Sequence, residues 1–183
     1  RLARPQVMAI YPITPQTPVV TTLAQFIQAG DLACEYIQVE SEHSALSVCA
    51  GASATGVRAF TATSSQGLAY MNEMVYMTGG MRLPVAMYLV NRSLAMPTSL
   101  QSEHNDAMSM RDAGWVQIHC ESVQEILDTA IQAYAIGEDE RVLLPVVFCA
   151  DGFTLSHAEE AVVLPAQELV DRGQSGPVDH DHG

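Results

Sequence analysis

With 183 residues, 48% of them hydrophobic and 16% charged, the chain is long enough to bury a core as one domain or one domain with a tail, and its composition excludes disordered and collagen-like classes. Eight Lys+Arg against 21 Asp+Glu leave a net charge of −13, a field that repels phosphate backbones and argues against nucleic-acid binding. All eight cations are arginines, so no lysine is present for Schiff-base chemistry, and no apolar run approaches the roughly 18 residues of a membrane span.

Short aliphatic runs alternate with longer helical patterns, the sequence form of an α/β domain with a parallel sheet. The first predicted strand, Val7–Ile10, leads through Tyr11-Pro12-Ile13-Thr14-Pro15 into a helix. Thr17 is placed to cap it, Pro18 to start it, Val20, Leu23, Ala24 and Ile27 to form its apolar stripe, and Gly30 to stop it. Strand Tyr36–Val39 ends in Glu40-Ser41-Glu42-His43, where Ser41 caps a helix reaching about Thr55. Its Ala45, Ala50, Gly51, Ala52 and Ala54 are small enough for close packing on the sheet. Strand Arg58–Ala62 is followed by Thr63-Ser64-Ser65-Gln66-Gly67, and strand Pro84–Val90 by Asn91-Arg92. After strand Trp115–Cys120, Ser122 and Glu125 form a capping box for a helix with Ile126, Leu127, Ala130, Ile131 and Tyr134 on its buried face and Gly137 as its stop. The last strand, Leu143–Ala150, runs into Asp151-Gly152-Phe153.

The pattern fades after Ala166. Residues 1–172 are expected to form one domain, a doubly wound, mostly parallel six-stranded sheet, with 173–183 a flexible tail or truncated linker. His180 and His182 in that tail form no preformed metal site. Cys34, Cys49, Cys120 and Cys149 stand singly in apolar stretches, with no C-x-x-C to hold zinc or an iron–sulfur cluster. They read as reduced core thiols, and with no export leader visible the expected location is the cytoplasm.

Ligands of a parallel α/β sheet bind beyond the carboxyl ends of its strands. Thr14, Glu42, Ser65 to Gly67 and Arg92 follow four different strands and should converge on one rim. Singly, each is ordinary. Glu42 at a helix start gains about 0.3–1 kcal/mol from the helix dipole without any catalysis. Arg92 could be a surface ion pair, Thr14 and Ser65 turn or cap residues, and His43 and His104 structural hydrogen-bonding groups. The free N–H groups opening the helix at Ser65 would favour an oxygen ligand. No G-x-G-x-x-G follows the first strand, which argues against a flavin- or nucleotide-binding domain.

The same segments carry a family resemblance. Tyr11-Pro12-Ile13-Thr14-Pro15, Val39-Glu40-Ser41-Glu42-His43-Ser44-Ala45, Gly51-Ala52-Ser53-Ala54, Thr61-Ala62-Thr63-Ser64-Ser65-Gln66-Gly67-Leu68, Gly80-Met81-Arg82-Leu83-Pro84, Asn91-Arg92 and Asp151-Gly152-Phe153 occur in that order over roughly Val7 to Val170. Together they resemble the α subunit of pyruvate:ferredoxin oxidoreductases and related 2-oxoacid:acceptor oxidoreductases, in its N-terminal, pyrimidine-binding domain.

The resemblance implies oxidative decarboxylation of a 2-oxoacid to acyl-CoA, with coenzyme A as acyl acceptor and electrons passed to iron–sulfur clusters on partner subunits. It implies that Glu42 hydrogen-bonds the aminopyrimidine of thiamine diphosphate, that Ser65, Gln66 and Gly67 line the cofactor, and that Arg92 and Thr14 hold the substrate carboxylate. The chain contains no Gly-Asp-Gly with a downstream Asn-Asn, so the diphosphate-binding domain and its Mg2+ are expected on a partner β subunit, with the cofactor shared between the two. One segment departs from the pyruvate pattern: Glu103-His104-Asn105-Asp106, preceded by Met96-Pro97-Thr98-Ser99-Leu100-Gln101, stands where Asp-His-Gln-Asp or Asp-His-Ser-Asp is usual. That keeps an aryl 2-oxoacid such as phenylglyoxylate, or an indole-type acid, as an alternative to pyruvate. A different class of alternative is a non-catalytic assembly scaffold.

Overall fold

The computed structural model describes residues 1–94 and 100–173. The elements are β1 (Val7–Ala9), α1 (Thr17–Gln28), β2 (Glu35–Ile37), α2 (Glu42–Ala54), β3 (Ala59–Thr63), α3 (Ser65–Tyr70), α4 (Asn72–Gly80), β4 (Val85–Asn91), α5 (Asn105–Ser109), β5 (Val116–His119), α6 (Val123–Gly137), β6 (Val146–Asp151) and α7 (Gln167–Gly173). Six strands form one sheet in the order β2-β1-β3-β4-β6-β5, and every neighbouring pair is parallel. The chain leaves β1 toward β2 at one edge and leaves β3 in the opposite direction toward β4, so a crevice opens beyond the carboxyl ends of β1 and β3.

All seven residues of β4 are buried, and their alternation divides the core in two. Val85, Met87 and Leu89 pack with Leu46, Cys49, Leu68, Met71, Val75 and Trp115 on the face covered by α2 to α5. Ala86, Tyr88 and Val90 pack with Phe148 and Tyr134 on the face covered by α1 and α6.

The predicted strands are observed to within three residues at either end. β6 starts later than expected because Leu143 takes a left-handed φ of 42° in the turn before it. α1 is capped by Gln16, not Thr17, and no side chain closes its first turn. The Gln16 amide is buried and donates instead to the carbonyls of Tyr11 (3.1 Å) and Ala62 (3.0 Å), tying the Tyr11–Pro15 loop to β3. The α1 stripe is Val19, Val20, Leu23 and Ile27, with Ala24 exposed. Both stripes fit a helical period, and the larger side chain of Val19 has more apolar area to remove from water.

In α2, Ser41 Oγ accepts from Ser44 N at 3.1 Å, as expected of a cap. Its buried stripe is Glu42, Ala45, Leu46, Cys49, Ala50 and Ser53, which leaves Gly51 and Ala54 on the exposed side rather than against the sheet. In α6, Ser122 Oγ accepts from Glu125 N at 3.2 Å, but the returning bond from the Glu125 carboxylate goes to Glu121 N (2.6 Å), one residue before the cap. Gly137 lies within α6 and is required by space: a Cβ there would stand 2.9 Å from Leu144 O. The helix α7 was not legible in the fading pattern; Val170 is its buried anchor. The segment Met96-Pro97-Thr98-Ser99 and the tail histidines His180 and His182 lie outside the described residues.

All four cysteines are free; Cys49, Cys120 and Cys149 are buried and Cys34 is half-buried. Burial pushes the Cys49 thiol up to about 12, and burial together with Glu35 pushes Cys34 up to about 11. Iodoacetamide at pH 8 should therefore leave Cys49 and Cys149 unmodified in the native protein and label all four thiols in urea, as read by mass spectrometry. Native labelling of Cys49 as fast as in urea would contradict this packing.

Candidate functional site at the carboxyl ends of β1, β3 and β4

The rim is built around the short helix α3. Ser65, its first residue, is buried with a left-handed φ of 46°, which turns the chain sharply from β3 and presents the next two residues in different directions. Gln66 faces the end of β4, and Gly67 faces the start of α2.

On the Gln66 side stands Arg92, just past β4 and only 9% exposed. Its Nη1 donates to the carbonyl of Thr14 and its Nη2 to Gln66 Oε1, while Gln66 Nε2 donates to Leu94 O at 3.1 Å. Thr14 is exposed and precedes a cis peptide bond to Pro15. Burial pulls the Arg92 guanidinium below its ordinary value, and the charge of Asp106 opposes that pull. Among the described residues Arg92 Nε is buried without a partner.

On the Gly67 side stands Glu42. It continues the apolar stripe of α2, so its carboxylate is carried to the sheet with the core side chains and is 7% exposed. A Cβ at position 67 would meet Thr63 Oγ1 at 2.4 Å and Glu42 Oε1 at 2.8 Å, so glycine is what makes room for this carboxyl group. Two hydroxyls at the end of β3, Thr63 Oγ1 and Ser64 Oγ, are buried without a partner among the described residues. Buried polar atoms left unpaired are costly, and three polar groups clustered here point to a polar ligand that completes them.

The structure thus brings Thr14, Gln66 and Arg92 together and sets Glu42 against Gly67, with α3 joining the two groups. Ser65 stands between them with its polar groups engaged by the protein. Its N–H donates to Asp106 Oδ2 at 3.1 Å, and its hydroxyl lies 2.6 Å from Ser93 O and 2.7 Å from Gln66 Oε1. The helix start anticipated as an oxygen site therefore already holds a carboxylate of the same chain. His43 points elsewhere, with Nε2 3.5 Å from the Glu73 carboxylate on α4.

Sequence reasoning named Asp106 and Gly152 only as members of motifs, without the roles they play at the rim, and did not single out His119. Asp106 is fully buried and accepts from four N–H groups, three of them of rim residues. His119, at the end of β5, lies with its ring 5.3 Å from that of His104. At Gly152 a Cβ would lie 2.0 Å from Asn91 O, so β6 can leave the sheet beside β4 only through glycine. Asp151 next to it accepts from Phe153 N at 2.9 Å and from Thr154 N. Burial raises its carboxyl group, but these bonds outweigh burial and leave it below the ordinary value.

Comparison with known proteins agrees with this architecture. Residues 1–179 match the family described as pyruvate flavodoxin/ferredoxin oxidoreductase, thiamine diP-bdg. Pyruvate synthase subunit PorA of Methanocaldococcus jannaschii is 55% identical over 93% of this chain and 44% of its own length. Ketoisovalerate oxidoreductase subunit VorA of Pyrococcus horikoshii is 49% identical over 92% of this chain and 42% of its own. The chain therefore spans less than half the length of these curated relatives. A solved structure of 2-oxoglutarate:ferredoxin oxidoreductase from Magnetococcus marinus superposes with a TM-score of 0.73 at 25% identity, over 82% of this chain and 27% of that one. A six-stranded parallel sheet, a rim assembled around α3 and a match over nearly the whole sequence lead to one conclusion: the chain belongs to the pyruvate flavodoxin/ferredoxin oxidoreductase family and is built as its thiamine-diphosphate-binding domain.

Proposed function

We propose that this chain forms the pyrimidine-facing half of a thiamine diphosphate site in the α subunit of a 2-oxoacid:acceptor oxidoreductase acting on pyruvate. The observation that carries the reading is the cluster at Gly67: a buried carboxylate, Glu42, that accepts no hydrogen bond from a described residue, beside the orphaned hydroxyls of Thr63 and Ser64. A ring bearing an amino group and ring nitrogens fits this donor set. Bound there, thiamine diphosphate would supply the nucleophilic carbon and electron sink that decarboxylation of a 2-oxoacid requires.

The chain's own residues then divide the work. Glu42 would hold and return a proton at a ring nitrogen, a role open to a carboxyl group placed at that atom. Gly67 keeps the space in front of it open, with Ser65 and Gln66 fixing the helix on which it sits. Arg92, held by the Thr14 carbonyl and Gln66, offers its remaining N–H groups to the substrate carboxylate, and the exposed Thr14 hydroxyl adds a second donor. A charge-assisted bond of this kind is worth about 1.5–3 kcal/mol. Thr14 in place of a basic residue argues against a dicarboxylate substrate, which would want a second cation.

On this reading the diphosphate domain, Mg2+ and the iron–sulfur clusters belong to partner subunits, and coenzyme A takes the acyl group. Pyruvate is favoured because the relative described above at 55% identity is named a pyruvate synthase. No helix among the described residues is long and apolar enough to cross a membrane, in keeping with a cytoplasmic enzyme.

The test is an anaerobic panel on the native complex with viologen as acceptor, with and without coenzyme A, offering pyruvate, 2-oxoisovalerate, 2-oxoglutarate, phenylglyoxylate and indolepyruvate. Pyruvate should give the highest kcat/KM, and reduction should depend on coenzyme A. A higher value for phenylglyoxylate would move the substrate to the aryl acids. No reduction by a cofactor-loaded complex would leave the scaffold reading.

A further inference from the structure

Asp106 is the one acidic side chain of α5 and has no exposed surface. Its Oδ1 accepts from Asn91 Nδ2 and from Ala107 N, both at 2.8 Å, and its Oδ2 from Arg92 N at 2.9 Å and Ser65 N at 3.1 Å. Burying a carboxylate is expensive unless its lone pairs are filled, and here N–H groups fill them. Three of the four donors belong to Ser65, Asn91 and Arg92, residues that leave β3 and β4 at the rim. A carboxylate placed only to anchor α5 would have no need to reach two strand ends.

We propose that Asp106 is the positioning residue for the substrate-carboxylate end of the site, joining the ends of β3 and β4 so that Arg92 and Gln66 meet in one fixed arrangement. The inference rests on the assignment of Arg92 to the substrate carboxylate and deepens it. Asp106 contacts the Arg92 backbone rather than its guanidinium, so the Arg92 N–H groups not used by Thr14 and Gln66 stay free for the substrate. Its negative charge close to a buried guanidinium also favours the charged form of Arg92. The neighbouring residue Asn105 extends the same clamp, its Oδ1 accepting from Leu94 N at 3.0 Å. The segment Glu103-His104-Asn105-Asp106 thereby acts on substrate binding through the backbone at the end of β4, without its Asp106 touching substrate.

The experiment measures steady-state kinetics of the assembled complex for Asp106→Asn, Asn91→Ala and Arg92→Met, with thiamine diphosphate affinity as an independent readout. Asparagine keeps the shape of Asp106 but turns an NH2 toward two N–H donors and removes the charge. Asp106→Asn should raise the KM for the 2-oxoacid about tenfold, the loss carried by one charge-assisted hydrogen bond. The KM for coenzyme A and the cofactor affinity should stay unchanged. Asn91→Ala removes a single Asp106 bond, keeps the variant measurable if Asp106→Asn fails to fold, and should move KM in the same direction by a smaller factor. A fall in kcat or in cofactor affinity with unchanged KM would overturn the inference. Arg92→Met separates the two claims. If it raises KM while the Asp106 and Asn91 variants do not, only the positioning role falls; if it leaves KM unchanged, the assignment of Arg92 falls and takes the inference with it.

Discussion

Replacing Glu42 with Gln in the assembled enzyme is expected to lower turnover by about 10²–10⁴-fold, the range that a positioned proton-transferring group supplies. The substitution keeps the shape of the side chain and leaves the Ser41 cap of α2 intact. Its structural cost is confined to a helix-start carboxylate, about 0.3–1 kcal/mol. The fold should therefore survive. What is lost is a group that can both accept and return a proton, where the neighbouring Thr63 and Ser64 offer only hydroxyls. Viologen reduction, together with calorimetric titration of thiamine diphosphate, would separate lost chemistry from lost binding. Unchanged turnover in a cofactor-loaded complex would mean that Glu42 is a helix-start residue and nothing more.

The largest stability effect is expected at the other end of the sheet. Arg58, just before β3, pairs with Glu138 at the end of α6 through two bonds of 2.6 Å, with side chains only 13% and 9% exposed. The guanidinium also lies 5.3 Å above the ring of Tyr134, whose hydroxyl donates to Ala59 O at 3.2 Å. Removing either partner takes away the opposite charge that compensates the other's burial, so Arg58→Met or Glu138→Gln should destabilise the protein by about 3–5 kcal/mol. For a domain of this size each kcal/mol lowers the melting temperature by about 2–4 °C, and scanning calorimetry would read a fall of about 6–20 °C. The double variant Arg58→Met with Glu138→Leu should recover most of the loss, because an apolar pair of similar volume carries no desolvation cost. None of these three variants should alter the KM for the 2-oxoacid, since the pair sits beyond the amino end of β3 and the rim beyond its carboxyl end.

The sheet was legible because parallel strands buried on both faces read as continuous apolar runs, and β4 and β6 are of that kind. The convergence of Thr14, Gln66 and Arg92 was legible for a related reason: once strand ends are placed, the polar residues just after them share a rim. Helix faces were harder. Val19 and Ala24 fit the same period, and the period alone does not say which one enters the core. Asp106 was invisible as a clamp because two of its four donors are backbone N–H groups contributed from 14 and 41 residues away, and backbone groups leave no mark in a sequence. The roles of Gly67, Gly137 and Gly152 are equally non-local, since each is set by an atom of another segment that a Cβ would strike. The short α7 lacked a signal because a single buried residue, Val170, anchors it.

Gln66 and Gly67 are consecutive residues of a helix only six residues long, yet one touches Arg92 and the other leaves room for Glu42. They share one rigid peptide unit. A shift of that unit large enough to move Arg92 would also move the space in front of Glu42, so the two ends of the site have a common lever rather than separate adjustments. On the proposed assignment, diversification of the acid accepted by such a scaffold would be confined to walls that α3 does not touch, while the reacting end would be inherited as a block.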